Sequence, residues 1–433
     1  MGLPEQDVWI STDADVVQTL IRDGVITAQE VTYVKIMSNK TIAVFPATHL
    51  MRSNISDNIH EEKHRCGGYV VHNTLPKAKE YIEKLNTATQ NQVIRSYTID
   101  NQKVGEELHQ KIITNNLQKT ITVMTNKWNS RYHNSRNGLL ASNWIHNHWK
   151  CLTSKRDDIS VTPFIHKQEI SRQHSLIVTI LGGNLKNELV VIGAHLDTIS
   201  SRDSLNRNVS DRRAPGGDDN ASGIAILTEL LRLIVKTGYK PEKTIQLMGY
   251  AADEEGLLGS KEIAEKYESN GKNVVGMLNL DMSGYRGGPK DIYIINDFTN
   301  QAQNTFLSDL MEKYFTGNST THGNTSCGYA CSSHESWTAQ KYPASFIFES
   351  DFSNRNKEIH SNSDVKVDAG HMTKFAKLAA VYMAELAKGK TGEVNLTGIN
   401  SNVLSYYLTN VYEIKLRIYL FTLFGIFNTK IQH

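Results

Sequence analysis

The apolar positions of this chain change period along its length. Leu189, Val190, Val191, Ile192, Gly193 and Ala194 form a short unbroken run rich in β-branched side chains, as a buried strand does. Downstream, Ile224, Leu227, Leu230, Leu231 and Ile234 recur at helical spacing. Further strands are expected at Ser175–Ile180, Lys243–Ala251, Val274–Leu280, Ile292–Ile295 and Ala344–Phe348. Helices are expected at Asn143–Trp149, Leu258–Tyr267, Gln301–Tyr314 and His371–Lys388. Strands that alternate with helices predict an α/β fold with a mostly parallel central sheet flanked by helices. The first hundred or so residues pattern differently. Val8–Ile10 reads as a strand, Asp13–Ile26 as a helix, Thr32–Val44 as alternating strands and Leu75–Leu85 as a charged amphipathic helix. Thr98–Gln118 is mixed and polar and reads as an exposed, cleavable connection. Residues 393–433 follow no regular pattern.

A chain of 433 residues has room for more than one domain, and 39% hydrophobic with 21% charged residues suits a globular protein. The net charge of +2 gives no reason to expect nucleic acid or an anionic membrane as partner. The longest apolar stretch, Ile418–Phe427, is too short to span a bilayer. Met1–Asp7 has no basic region followed by an apolar core, so the expectation is a cytosolic protein or one whose signal peptide was removed before this numbering begins. Cys327 and Cys331 close a CxxxC pair, either a disulfide in an oxidising compartment or two buried thiols. His60-Glu61-Glu62-Lys63-His64 places two histidines four apart, but its polar surroundings read as a solvated loop rather than a zinc site.

The candidate chemistry collects where strands end. His195 closes the first apolar run, the acids Asp253, Glu254 and Glu255 close the strand at 243–251, and Asp281 closes the one at 274–280. Asp218 and Asp219 stand just before a helix, and His360 lies in a loop beyond the strand that ends at Glu349. In open α/β sheets, sites form outside the carboxyl ends of strands. A capping role explains any one of these residues, but not all of them together. His and carboxylate donors without thiolate suit Zn²⁺ or a similar divalent ion. His195, Asp219, Glu254, Asp281 and His360 are too many for one four-coordinate catalytic zinc that keeps a water, and suit a pair of ions sharing a carboxylate. Asp253 beside Glu254 offers a general base next to a ligand.

In order, HLDT, PGGDDNASG, ADEEGLLGS, LNLDMSGY, SCGYACSSHESW and IHSNSD resemble the M28 metallopeptidases, and among them the secreted bacterial leucyl aminopeptidases of the Vibrio type. The likeness covers roughly residues 110–390. VWIS and HEEKHRCGGYVVH resemble the prosegment of the same enzymes. The resemblance implies a proenzyme: a prosegment over residues 1–105 that aids folding and inhibits, a catalytic domain over 106–392, and an unassigned tail. It implies a secreted aminopeptidase with two zinc ions, acting on peptides with a free, leucine-like N-terminal residue and matured by a separate protease. One zinc falls to His195 and Asp281, the other to Glu254 and His360, with Asp219 bridging. Anchored on Gly256–Ser260, the family's pattern makes Asp253 the base, one methylene shorter than the usual Glu; a frame shifted by one makes Glu254 the base and Glu255 the ligand. Asp197 becomes the hydrogen-bond partner of His195. Cys327 and Cys331 match a family disulfide, and Ser333 stands where an Asp is usual. Tyr329, Phe346, Phe348, Phe352 and Ile359 fall at or near the lining of an apolar first-residue pocket. Two other activities share the fold: a single-zinc glutaminyl cyclase and a non-catalytic binding module.

Overall fold

The computed structural model describes residues 8–37, 40–63, 65, 67–90, 95–167, 170–201, 208–315 and 320–392. The tail, and with it Ile418–Phe427, lies outside these residues, as do His64 and Cys66. In chain order the N-terminal part forms β1 (Val8–Asp13), α1 (Ala14–Arg22), β2 (Tyr33–Ile36), β3 (Thr41–Ala47), α2 (His49–Lys63), β4 (Tyr69–His72) and α3 (Leu75–Gln90). These strands make an antiparallel sheet in the order β2-β3-β1-β4. Val16, Val17 and Leu20 of α1 and Ile55 and Ile59 of α2 bury against Val8, Ile10 and Phe45 on one face. On the other face Ala78 and Ile82 of α3 meet Ile42 and Val44.

The rest of the chain adds α4 (Gln102–Gln110), α5 (Thr114–Lys127), α6 (Arg136–Thr153), β5 (Ile159–Phe164), β6 (Ser175–Ile180), β7 (Leu185–His195), α7 (Ser222–Lys236), β8 (Lys243–Tyr250), α8 (Leu258–Ser269), β9 (Asn273–Leu280), β10 (Ile292–Ile295), α9 (Gln301–Tyr314), β11 (His322–Thr325), α10 (His334–Ala339), β12 (Ala344–Phe348) and α11 (Ala369–Ala387). The strands form one sheet, β11-β10-β12-β9-β7-β8-β6-β5. Its centre is parallel, from β12 through β9 and β7 to β8, and its β8-β6-β5 margin is antiparallel. The mostly parallel α/β fold expected from the sequence is thus the fold observed.

The unbroken apolar run in β7 follows from burial on both faces. Val190 and Ile192 pack with Ile224, Leu227 and Leu231 of α7, whereas Leu189 and Val191 pack with Ile263 and Tyr267 of α8. Because β7, β8 and β9 run parallel, their carboxyl ends open on the same edge, and the loops that follow them meet there. Trp149 of α6 is wholly buried behind this layer, and its indole N–H donates to Thr228 Oγ1 at 2.9 Å. Trp149→Ala is expected to destabilise the chain by about 3–5 kcal/mol through the cavity it leaves, read as a lower midpoint in urea unfolding.

Two expectations fail. Thr98–Gln118 is no exposed connection. It holds α4 and the start of α5, and Val104, Leu108 and Leu117 are buried in the main core. Its polar residues cover the outer faces of two short helices, and the apolar ones are spaced too sparsely to stand out. The His60–His64 segment is not a solvated loop as far as it is described, because His60 lies in α2 and is buried. Among the described residues, no helix is long and apolar enough to cross a membrane.

Candidate metal centre

His195 is the last residue of β7, Asp253 and Glu254 stand just beyond β8, and Asp281 follows β9. Asp219 comes from an irregular turn, Gly217–Ala221, that leads into α7. His360 lies in the loop after β12 with its backbone in the left-handed region at φ 55°, a strained setting for a side chain with a Cβ. The sheet brings these residues together. His195 Nε2 lies 2.9 Å from Asp219 Oδ1 and 3.3 Å from Asp281 Oδ1. His360 Nε2 lies 2.9 Å from Asp219 Oδ2 and 3.2 Å from Glu254 Oε2. Asp219 therefore turns one oxygen to each histidine. His195, Asp219, Glu254 and Asp281 expose 3% or less of their surface, and His360 exposes 6%.

The supporting residues hold this set from behind. Asp197 Oδ1 and Oδ2 accept from the backbone N–H groups of Asp253 and Glu254 at 3.1 and 3.2 Å, and Oδ1 lies 3.5 Å from His195 Nδ1. Ser332 Oγ donates to Asp281 Oδ2 at 2.7 Å. Asp364 accepts from the backbone N–H groups of Asp218 and Asp219. Beneath them Asp218, Glu349 and Asp364 form a buried acid cluster. Burial first, and then the Asp218 charge, push Glu349 and Asp364 well above the carboxylate range, and burial pushes Asp218 up to about 6. Arg131, wholly buried, donates to the carbonyls of Leu196, Pro215 and Gly216 and so fixes the loop after His195 and the turn that carries Asp219.

The neighbouring acids differ in their partners. Asp253 accepts a short hydrogen bond from Ser333 Oγ on Oδ1, while its buried Oδ2 has no hydrogen-bond partner. Burial pushes the Asp253 carboxyl well above its usual range. Glu254 is pushed up to about 7 by burial and then by Asp219. Glu255 instead accepts from Tyr132 O–H and lies 3.2 Å from His133 Nε2. Burial opposes its ionisation, but His133, Arg52 and Tyr132 outweigh burial and hold it at about 2.

The donor set fits a divalent metal. Asp219, Glu254 and Asp281 are buried against two imidazoles at 2.9–3.3 Å, a density of charge that calls for cations between them. Donor atoms of His195, Asp219 and Asp281 lie within 4.8 Å of one another, as do those of His60, Glu254 and His360. His60, from α2, was not expected here. Neither of its ring nitrogens has a hydrogen-bond partner, and its ring lies against that of His360 with centroids 4.0 Å apart and planes tilted by 34°. The sequence carried little signal of this: Arg52, Ser56 and His60 are spaced four apart, as on one helical face, but their polar character reads as solvated although all three are buried. Asp364 and Arg131 were also missed, since their partners are backbone groups remote in sequence.

Tyr329, Phe346 and Phe348 are buried in one cluster with Met282 and Ile295, and Phe352 and Ile359 pack on its edge. Cys327 and Cys331 are joined by a disulfide at that edge.

The description of peptidase family M28 matches residues 175–383. A probable leucine aminopeptidase of Arthroderma benhamiae is 36% identical over 282 residues, covering 63% of this chain and 71% of the relative. The crystal structure of the Legionella pneumophila LapA aminopeptidase aligns with a TM-score of 0.72 at 25% identity, over 90% of this chain and all of that one. A Bacteroides thetaiotaomicron glutaminyl cyclase aligns at 0.51 and 14% identity over 64% of this chain, a likeness of fold alone.

Proposed function

The chain belongs to peptidase family M28 and is a metallo-aminopeptidase, and on that footing we propose that it is a secreted di-zinc enzyme made as a proenzyme. The observation that carries the metal count is Asp219, whose two oxygens face His195 on one side and His360 on the other. His195 and Asp281 would hold one ion, Glu254 and His360 the other, with Asp219 shared. Bound zinc in such a set polarises a carbonyl and lowers the pKa of water.

The chain's own residues do the rest. Asp253 Oδ2, without a partner, takes the proton of the water that adds to the scissile carbonyl carbon. It then returns that proton to the leaving amine as the C–N bond breaks. Ser333, where an Asp is usual, keeps the shorter base in place through its hydrogen bond. Asp197 fixes the backbone of 253–254 and the ring of His195 together. Glu255, committed to Tyr132 and His133, argues for the frame in which Glu254 is ligand and Asp253 base. The aromatic cluster of Tyr329, Phe346, Phe348, Phe352 and Ile359 suits a leucine-like first residue. The disulfide favours an oxidising compartment, hence secretion.

The N-terminal sheet and its helices would be the inhibitory prosegment. Residue 105 falls inside α4, whose Val104 and Leu108 belong to the main core, and Tyr97 O–H already donates to Val275 O of β9 at 3.3 Å. We therefore place the division before Arg95.

Hydrolysis of leucyl-p-nitroanilide, with metal analysis, tests this reading. Two zinc ions per chain are expected, with activity abolished by a chelator and restored by zinc. One ion per chain together with cyclisation of an N-terminal glutamine would favour the glutaminyl cyclase activity. Active protein free of divalent metal would overturn the proposal.

A further inference from the structure

A buried imidazole with two unsatisfied nitrogens is costly, on the order of 1–3 kcal/mol for each stranded group. His60 is 4% exposed and in that state, beside two of the proposed zinc ligands. Its helix is not there by chance of packing, because α2 is tied to the catalytic face at the turn before His60. Ser56 Oγ donates to the backbone carbonyl of Glu254 at 3.2 Å. Asp57 accepts a buried two-point pair from Arg212, at 2.8 and 3.2 Å. Ser56 and His60 are four apart, so the first contact aims the second side chain at the ligand group.

We propose that His60 is a further metal ligand, lent by the N-terminal segment to the ion of Glu254 and His360, and that it fills the position a substrate or water must take. The tilted contact with the His360 ring packs His60 but satisfies neither nitrogen; a metal bond satisfies one outright. The enzyme would then be silent for a chemical as well as a steric reason. His60 leaves with the segment, and the open position that a catalytic ion needs appears only at maturation. This inference rests on the reading of the N-terminal segment as an inhibitor.

Cobalt(II) titration of the metal-free intact chain tests it, with visible absorption as the readout. Wild type and His60→Ala are compared intact, and again after cutting between residues 90 and 95 in the folded protein and removing the segment. The intact His60→Ala chain should bind one of its two ions at least about tenfold more weakly and show a changed ligand-field band, with free imidazole restoring the band. Removal of the segment leaves the same polypeptide from both, which supplies the affinity and band of the site without residue 60; the intact His60→Ala chain should lie nearer to these than the intact wild type does. A cooperative urea transition in His60→Ala guards against misfolding, and His60→Asn, which keeps a polar side chain, should behave as His60→Ala does. An unchanged affinity and spectrum in both variants overturns the ligand, even where segment removal still activates. A changed spectrum with no activation on removal leaves the ligand standing and overturns the inhibitory reading instead.

Discussion

Cutting the folded chain between Gln90 and Arg95 and removing the N-terminal segment is expected to raise kcat/KM for leucyl-p-nitroanilide by about 100-fold or more. In the intact chain the proposed ligands His195, Asp219, Glu254 and Asp281 expose no more than 3% of their surface, too little for a peptide to reach them. The cover is specific. Gly68 N–H donates to Ala330 O at 3.1 Å, and Arg65 lies 4.6 Å over the ring of Tyr329, at the apolar pocket. Tyr69 and Val71 press on Gly256, where φ is +100° and a Cβ would meet Val71 Cγ2 at 2.7 Å. Gly256 thus serves both the sharp turn after the acids and the approach of β4. An enzyme shut this way turns over only in its undocked fraction, and each 1.4 kcal/mol of docking costs about tenfold. About 3 kcal/mol of docking, modest for a buried ion pair and this apolar contact, gives the expected factor. Equal turnover by intact and trimmed protein would reduce the segment to a folding aid.

Legibility in the sequence followed the kind of contact each residue makes. β7 and α7 were readable because their neighbours are apolar and their periods strong. The strand-end positions of His195 and Asp281 were readable because each closes such a run. α4 and the start of α5 were not, since two short helices with polar outer faces look like a mixed loop until Leu108 and Leu117 are seen buried. α2 failed for a different reason. Ile55 and Ile59 meet the core, but Arg52, Ser56, Asp57 and His60 face a polar site and carry the composition of a solvated surface while being buried. Periodicity reports burial against apolar neighbours, and it is silent where a helix is held by hydrogen bonds and an ion pair. Arg131 was hidden likewise, its partners being carbonyls of residues 196, 215 and 216.

Asp253→Asn, made in the trimmed enzyme, is expected to lower kcat by about 10²-fold or more, the scale of losing a general base, while KM and the metal content stay near those of the trimmed wild type. The change is isosteric, and Ser333 Oγ can still donate to the remaining carbonyl oxygen, so the fold around residues 253–254 is kept. What is lost is a carboxylate oxygen able to accept a proton at the position of Oδ2. Asp197 still binds the backbone of both acids, and Glu254 stays beside His360. Glu254→Gln should act differently, weakening one ion, because it neutralises a ligand. Glu255→Gln should act differently again. It disturbs the pairs with Tyr132 and His133, costing stability before turnover. The three substitutions thus separate three roles along consecutive residues, read as kcat, bound metal and unfolding midpoint. Asp253→Glu restores the longer side chain usual in the family and should keep measurable turnover, since the proton acceptor is retained. Should Asp253→Asn run at the trimmed wild-type rate while Glu254→Gln keeps both ions and abolishes turnover, the base is Glu254 and the frame is displaced by one residue.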